Sequence, residues 1–279
     1  VFVYINNSVV QLEESIMSKP YTPHSNERIV YDGIDSCPYI EGERQRTPLR
    51  YQYADMTPQA LDISFDGGDR RVGRMVYRTD CPTCTACEPI RVPAQEFRPS
   101  KSQRRILRKN TDIRVMMAPA TFSPEKLRLF NRHKLERGLS KTEKAYTRSG
   151  YERWLIESCV DTREFRYMLG DKLIGVSILD FGEQDISSVY FYFDPDYDDR
   201  SLGTFSALFE IQWMHSQGKR YYYLGLYVGE CSHLNYKSRY YPHHRLIRQQ
   251  WMQFSSRKMP QEEATVVQEF PDTDSTPIQ

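Results

Sequence analysis

Three cysteines lie close together in the segment RTDCPTCTACEPIRV, and their spacing is the first sign of chemistry in this chain. Cys81, Cys84 and Cys87 follow the pattern C-x2-C-x2-C, which is typical of metal ligands and of redox centres. Three thiolates leave one position of a tetrahedral site open, and Cys37 in DSCPYI could fill it. Such a site would suit zinc or an iron–sulfur cluster. The alternative is a reduced structural turn without a metal.

A second group of reactive residue types surrounds Cys231, which lies beside Glu230 and His233. This arrangement suggests a cysteine nucleophile as one hypothesis. Nothing in the local sequence indicates the lowered thiol pKa that such a nucleophile needs, so a structural cysteine is the favoured interpretation. The sequence contains no G-x-S-x-G motif, and its histidines are too scattered to identify a general base.

Charge is unevenly distributed along the chain, although the formal net charge is only +1. Between Arg91 and Arg114, eight basic residues stand against two acidic ones, whereas Asp180 to Asp199 holds seven acidic residues and no basic one. The basic segment predicts a surface for RNA phosphates, and the simpler alternative is an ordinary solvated basic helix. Four candidate phosphate contacts lie on or near one predicted helix: Arg104, Arg105, Arg108 and Lys109.

The composition describes a globular chain with a buried core. Its 279 residues, 39% of them hydrophobic, suffice for one large domain or two modest ones. No run of 18 apolar residues occurs, which predicts that nothing spans a membrane. Six cysteines in a chain of this size, without a recognisable secretion signal, favour a reducing cytoplasm.

Local signals predict the elements that would position these residues. Helix starts are marked by Thr57 before a proline, by Ser100 or Ser102, and by Ser123 before a proline, with Gly138 ending the last of these helices. GYERWLIESCV predicts a further helix. RRVGRMVYR and EPIRVPAQEF predict strands on either side of the cysteines.

The second half of the chain is rich in strand signals. REFRYML, KLIGVSILDF and ISSVYFYF, separated by short turns, predict three antiparallel strands. An amphipathic helix ending near Gly218 and the strand RYYYLGL follow, LNYKSRYY predicts a short helix, and RLIRQQWMQF predicts one final strand.

This order of elements is similar to the core of a GNAT-type acyltransferase. The predicted fold class is therefore α+β: a mostly antiparallel sheet flanked by helices, with a smaller N-terminal subdomain that contains the cysteines. The loop RSLGTF resembles the one that holds the coenzyme A pyrophosphate at a helix N-terminus. Phe205 takes the place of its last small residue, and four upstream aspartates would repel phosphate: Asp194, Asp196, Asp198 and Asp199.

Three stretches read CPTCTACEPIRVPAQEFRPSKSQRR, SSVYFYFDPDYDDRSLGTFSALFEI and YYYLGLYVGECSHLNYKSRYYPHHRLI. Together they resemble the aminoacyl-tRNA–protein transferases of the N-degron pathway, which comprise arginyltransferase in eukaryotes and aspartate/glutamate leucyltransferase in bacteria. The likeness runs from about Asp35 to Trp251, and the wording is closer to the bacterial form. It implies transfer of leucine from leucyl-tRNA to the α-amine of a protein that begins with Asp or Glu, which marks that protein for degradation.

The reaction that the resemblance implies is aminolysis of an activated ester, which needs no nucleophilic serine or cysteine. Positioning of the reactants, a general base and oxyanion donors could accelerate it. Tyr190 and Asp194 end the strand that should border the cleft, and Asp194 could accept a proton, orient the amine or simply cap a turn. Tyr236 and Lys237 lie in the NYK signature, where Lys237 or Arg239 could hold a carboxylate or a phosphate.

A pocket for the aminoacyl group, the terminal adenosine or the acceptor is expected from the tyrosine-rich segments. The alternative is that these tyrosines pack in the core. The candidate pocket residues are Tyr223, Tyr227, Asn235, Arg239 and Tyr240.

The expected organisation has four parts. Residues 1–16 are a flexible extension, 17–115 the cysteine-cluster and basic-helix region, 116–255 the transferase domain and 256–279 an acidic disordered tail. Transfer itself requires no cofactor, so zinc or a cluster at the cysteines would have a structural or redox-regulatory role. The expected protein is a cytoplasmic monomer. The rival hypotheses are transfer from arginyl-tRNA, a coenzyme A-dependent GNAT acyltransferase and a non-enzymatic RNA-binding zinc module.

Overall fold

The structure, a computed structural model, describes residues 2–5, 8–11, 26–139, 144–256 and 263–267. Its strands are β1 (Phe2–Ile5), β2 (Ser8–Gln11), β3 (Glu27–Tyr31), β4 (Ile34–Ser36), β5 (Arg44–Arg46), β6 (Leu49–Gln52), β7 (Arg70–Val72), β8 (Met75–Tyr77), β9 (Glu88–Pro93), β10 (Ile113–Pro119), β11 (Thr162–Leu169), β12 (Lys172–Phe181), β13 (Ile186–Phe193), β14 (Tyr221–Tyr227), β15 (His243–Ile247), β16 (Gln250–Phe254) and β17 (Thr265–Val266). Its α-helices are α1 (Pro58–Asp66), α2 (Lys101–Lys109), α3 (Pro124–Glu136), α4 (Arg148–Tyr151), α5 (Leu202–Ser216) and α6 (Ser232–Asn235).

Most strands join one mixed sheet. Among the described residues it has nine strands in the order β10-β11-β12-β13-β14-β9-β15-β16-β17. Strands β11 to β13 form the predicted antiparallel meander, and β10, which was not predicted, pairs antiparallel with β11. Strand β14 then enters parallel to β13, because α5 carries the chain back across the sheet between them. The molecule is therefore of mixed α+β class.

The pairing between β13 and β14 is short. Only Ile186 with Tyr222 and Ser187 with Tyr223 are in register, although β13 continues to Phe193 and β14 to Tyr227. Strand β14 is also bulged against β9 just before Gly225, whose φ of +87° favours glycine. The C-terminal ends of these two parallel strands lie at the same edge of the sheet, and beyond Ser187 and Tyr223 no ladder joins them; this gap in the ladder is called the opening below.

Helices cover both faces of the sheet. On one face α5 packs over the core around Leu208, Phe165 and Tyr222, and α2 packs against α5. On the other face α3 and α4 bury Phe130 and Tyr151 against β12 and β13. Further along that face, α1 packs against β14 and β16 through the residues Leu61, Phe65, Tyr223 and Trp251.

The helix starts that were predicted from an N-cap residue are confirmed. Thr57, Ser100 and Ser123 each accept a hydrogen bond from the first turn of their helix, and Ser100 forms a capping box with Gln103. The helix predicted at GYERWLIESCV begins earlier, at Arg148, and continues as a π-helix at Glu152–Ile156.

The prediction of one final strand in RLIRQQWMQF is wrong. The segment forms a hairpin of β15 and β16 that turns at Arg248 and Gln249, whose φ angles are 49° and 65°. Neither residue type favours these angles, so the turn carries no local signal. Of the predicted extension and tail, the described residues show β1 paired with β2, and β17 paired with β16; residues 1, 6–7, 12–16, 257–262 and 268–279 lie outside the described residues.

The cysteine region is built around a smaller sheet with the strand order β3-β6-β8-β7. Strands β4 and β5 pair separately, next to Cys37. Within the part of the chain that the structure describes, no helix is long and apolar enough to cross a membrane.

Candidate active site

The opening between β13 and β14 has candidate catalytic residues on both sides. Tyr190 lies three residues beyond Ser187, the last residue of β13 that pairs with β14, and Asp194 follows the end of β13. On the other side, the Lys237 Nζ donates to the carbonyl oxygen of Leu226 over 2.9 Å. Asp194 and Lys237, which are 43 positions apart in the sequence, thus lie on the two strands' sides of this opening.

Asp194 is an ionic anchor in this structure. Its side chain is 2% exposed, and its carboxylate accepts from Arg132 at 2.9 Å and pairs with Lys172 at 2.8 Å. It also accepts from the backbone N–H of Asp196 and caps a 3-10 turn. Burial raises the pKa of Asp194, but Lys172, the Asp196 amide and Arg132 outweigh it, so the pKa lies below its ordinary value. These contacts favour orienting a neighbouring group over accepting a proton.

Tyr190 belongs to an aromatic wall on the α3 face of β13. Its ring lies 5.0 Å from that of Trp154 and 5.8 Å from that of Phe130, and it stacks on Tyr192 at 6.4 Å, as measured between ring centroids. Burial raises the pKa of the Tyr190 hydroxyl. The hydroxyl is therefore neutral at physiological pH and can donate a hydrogen bond.

Lys134 is a residue that sequence reasoning missed. Its side chain is 9% exposed, and its Nζ lies 5.3 Å from the ring centroid of Trp154 and 5.5 Å from that of Tyr190. Burial lowers the pKa of its ammonium. A lysine on a predicted amphipathic helix is normally a solvated residue, so the sequence held no signal for this placement.

Lys237 is the most perturbed cation at the opening. It is 8% exposed. Burial, together with the nearby Arg70, lowers the pKa of its ammonium to about 7 against an opposing effect of Cys231. A lysine with this pKa is partly neutral at physiological pH and can accept a proton.

The other signature residues near Lys237 differ in exposure. Arg239 is exposed. Tyr236 is 38% exposed, but burial around its hydroxyl raises the pKa of that group. Asn235 donates through its Nδ2 to the carbonyl oxygen of Gly229 at 3.2 Å and holds the turn that carries this segment.

Two predicted pocket residues lie in the core instead. Tyr223 is 4% and Tyr240 1% exposed; the Tyr223 hydroxyl accepts from Arg91 at 3.1 Å, and its ring packs against Phe65. Tyr227 is partly buried, with the guanidinium of Arg245 4.7 Å from its ring centroid. The packing alternative therefore describes Tyr223 and Tyr240 better than a ligand pocket does.

The basic helix α2 presents one charged face to solvent. Residues spaced by three and four positions share a helix face, and those on this face are all exposed: Lys101, Arg104, Arg105 and Arg108. Lys109 lies four residues after Arg105 and is also exposed, but its Nζ already pairs with Asp199 at 2.9 Å. The helix thus offers a row of cations to a ligand, with Lys109 already engaged.

The four cysteines of the predicted ligand set lie near one another. Burial raises the pKa of the Cys87 thiol to about 12, and Cys81, Cys37 and Cys84 add to this rise in that order. Sulfur donors of this number suit zinc or an iron–sulfur cluster. As the side chains are placed, no three His, Cys, Asp or Glu residues in the described segments form a group that could hold a metal ion.

The loop that resembles a pyrophosphate site keeps open space at Gly203, where an added Cβ would meet nothing within 4 Å. Phe205 is 4% exposed and belongs to the core under α5. Among the upstream aspartates, Asp196 pairs with Arg132, Asp198 with Arg137 and Asp199 with Lys109. The acidic segment is therefore largely neutralised by cations of this chain.

Comparison with known proteins assigns the chain to a family. A family model described as "Arginine-tRNA-protein transferase, N terminus" matches residues 35–105, and one described as "Arginine-tRNA-protein transferase, C terminus" matches residues 125–247. The chain belongs to the arginine-tRNA-protein transferase family.

Similar proteins in this family include two bacterial enzymes named aspartate/glutamate leucyltransferase. The one from Aeromonas hydrophila is 32% identical over 79% of this chain and 92% of its own length. The one from Saccharophagus degradans is 36% identical over 78% of this chain and 93% of its own length. Among solved structures, FemX matches with a TM-score of 0.38 and 9% identity, covering 70% of this chain and 79% of that one.

Family membership makes the chain a transferase, and the candidate functional residues are divided between the two matched segments. The N-terminal match contains the four clustered cysteines and the first half of α2, whereas the C-terminal match contains Lys134, Asp194 and Lys237. The opening between β13 and β14 is thus built entirely from the C-terminal segment of an arginine-tRNA-protein transferase family member.

Proposed function

We propose that this transferase moves leucine from leucyl-tRNA to the α-amine of proteins that begin with Asp or Glu, which marks them for degradation. The opening between β13 and β14 is the observation that carries the proposal, because two reactants can meet there beside Tyr190 and Lys237. Two relatives named aspartate/glutamate leucyltransferase support the choice of substrates. The match to this chain covers more than nine-tenths of the length of each. The donor is charged tRNA, a cytoplasmic substrate, and we expect a monomeric cytoplasmic enzyme.

The reaction forms one bond and breaks another. The acceptor nitrogen attacks the ester carbonyl of the aminoacyl-tRNA, a C–N bond forms, and the C–O bond to the terminal ribose breaks. The ammonium must lose one proton before attack, the attacking nitrogen loses a second as the amide forms, and the ribose oxygen takes one on leaving, so one proton is released in total. Lys237, with a pKa of about 7, suits the first transfer, while Tyr190 and Tyr236 are candidate donors and Asp194 positions Lys172 and Arg132 at the rim.

The buried carboxylates favour leucine over arginine as the transferred residue. An arginine side chain would need a desolvated carboxylate that is still available. Every carboxylate of the described residues that is at least nine-tenths buried already binds a cation, a backbone amide or a tyrosine hydroxyl: Glu27, Asp62, Asp69, Glu164, Asp180, Asp185, Asp194 and Glu210. An apolar side chain needs none of these groups.

We propose that the exposed face of α2 contacts the tRNA backbone. Its four cations lie along one helix face and could reach successive phosphates, which would make binding strongly dependent on salt. Among the described residues, Arg105 and Arg108 form no ion pair or hydrogen bond with other side chains. Arg104 and Lys109 contact Pro99 and Asp199 respectively.

We propose that the large sheet and its helices form a GNAT-type core. The antiparallel meander, the crossover through α5 and the short parallel pairing of β13 with β14 are the features that support it. Coenzyme A is a poor donor for this site, because Phe205, a core residue, stands where the resembling loop has a small residue. Saturable binding of coenzyme A in a calorimetric titration would contradict this conclusion.

We propose that Cys37, Cys81, Cys84 and Cys87 hold zinc or an iron–sulfur cluster with a structural or redox role. The C-x2-C-x2-C spacing of three of them supports the proposal, since sulfur ligands at such intervals are typical of zinc and cluster sites. Metal analysis of the purified chain is the direct test. Replacing Cys81, Cys84 and Cys87 by serine should remove the metal and lower the thermal midpoint before it changes the transfer step.

The donor and acceptor are tested together. Leucyl-, phenylalanyl- and arginyl-tRNA, each with a labelled amino acid, are offered with peptides that begin with Asp, Glu or Ala. Label from leucyl-tRNA should reach only the Asp and Glu peptides, and ribonuclease should abolish transfer. Failure of every charged tRNA to donate its label would refute the proposed function.

A further inference from the structure

Lys134 is a buried cation beside two aromatic rings. Its Nζ lies within 5.5 Å of the ring centroids of both Trp154 and Tyr190, a distance typical of a cation–π contact. In the described part of the chain it has no hydrogen bond and no ion pair, and burial is the sole cause of its lowered pKa. Burying an ammonium without an anionic partner is costly, so this site lacks one half of an ion pair.

The other cations on this side of the opening are already engaged. Arg132 and Lys172 both bind Asp194, and Arg137 binds Asp198 and lies over the ring of Phe193. Among the described residues, Lys134 is therefore a cation beside β13 that has no anionic partner. It remains available to the carboxylate of a bound molecule.

We propose that Lys134, in the pocket formed with Trp154 and Tyr190, binds the side-chain carboxylate of the acceptor's N-terminal Asp or Glu. This inference rests on the proposed function and adds to it the residue that selects an acidic acceptor. Tyr190 forms part of the pocket and lies where β13 has separated from β14. A carboxylate held there places the acceptor's α-amine, a few bonds away, at the opening.

The pocket also explains discrimination against Asn and Gln. Their side chains have the same shape as Asp and Glu but no charge, so they leave the buried ammonium unpaired. The aromatic rings exclude water around the ion pair and strengthen it. The site thus selects the acceptor side chain by its charge rather than by its size.

The kinetic test compares matched acceptors at a fixed concentration of leucyl-tRNA. Lys134→Met keeps the length and the apolar stem of the side chain, and it should lower kcat/KM for Asp and Glu peptides by about 100-fold while leaving Asn and Gln peptides unchanged. Arg128→Gln, which removes an exposed cation from the same helix, is the control and should change neither. Equal losses for the Asp and Asn peptides would overturn the proposal.

Two further measurements separate this proposal from misfolding and from the proposed function. Lys134→Met should be at least as stable to heat as the wild type, because it removes an unpaired buried charge. Calorimetric titration with Asp and Asn peptides in the absence of tRNA should show tighter binding of the Asp peptide by the wild type and equal binding by Lys134→Met. This binding difference supports the carboxylate site even if no transfer is observed, and equal binding by the wild type overturns it.

Discussion

The hydroxyl of Tyr167 donates a hydrogen bond to the Oε1 of Glu210 over 2.7 Å in the middle of the core. The Tyr222 hydroxyl binds the other carboxyl oxygen, so an acidic side chain on α5 joins β11 to β14. Glu210 is 2% exposed. Burial raises the pKa of its carboxyl to about 7, against the opposing effects of Tyr222, Tyr167 and Ser177.

This carboxyl should make stability depend on pH. The folded chain keeps the Glu210 proton up to about pH 7, whereas the unfolded chain releases it near its ordinary pKa of 4.5. The stabilisation is therefore complete below pH 4.5 and is lost as pH rises towards 7, by on the order of 3 kcal/mol. Urea unfolding at a series of pH values should show this loss in the wild type and not in Glu210→Gln. Parallel curves for the two proteins would contradict the prediction.

Lys237 should control the pH dependence of transfer. Its lowered pKa of about 7 means that the neutral amine becomes available as pH rises through 7, and kcat of the wild type should rise with it. Lys237→Met should lower kcat by about 100-fold and remove this rise, with tRNA binding unchanged. An unaltered pH–rate profile in the variant would exclude Lys237 as the proton acceptor.

Gly225 should resist substitution because of both its backbone angle and Arg70. Its φ is +87°, and a Cβ there would lie 3.0 Å from the Arg70 Nη2. Gly225→Ala should cost about 1–2 kcal/mol for the backbone angle and more for displacing Arg70. The matched control is Gly170→Ala, where φ is +58° and a Cβ meets nothing within 4 Å.

Unfolding free energies of these two variants isolate the Arg70 contribution. Gly225→Ala should be the more destabilising, and a double-mutant cycle with Arg70→Ala should show coupling between positions 225 and 70. Equal costs for Gly225→Ala and Gly170→Ala would mean that Arg70 does not constrain this bulge.

The exposed face of α2 should set the salt dependence of tRNA binding. Arg105→Gln and Arg108→Gln should each reduce the slope of log K against log salt by about 1. Lys109→Gln should have a smaller effect, because this lysine already pairs with Asp199. Filter binding over a series of salt concentrations measures all three, and identical slopes in every variant would place the tRNA elsewhere.

Local interactions explain which elements could be predicted from the sequence. Thr57 and Ser123 predict the starts of their helices, because the side chain of an N-cap residue accepts a hydrogen bond from an amide only three residues away. The meander of β11 to β13 is equally visible, because each strand is a continuous β-rich run between short turns. The turn at Arg248 and Gln249 could not be predicted from the sequence, since the pairing of β15 with β16 imposes positive φ angles on residues that do not favour them.

The sequence by itself determined the class of fold, the family and the chemical types available: clustered thiols, a basic helix and a tyrosine-rich signature. Only the tertiary structure decided which of them are partners. It joins Asp194 to Arg132 across 62 positions, packs Tyr223 and Tyr240 into the core, and sets Lys134 among aromatic rings. Burial and ion pairing arise between residues far apart in the chain, and the pKa and the role of a side chain follow from those contacts.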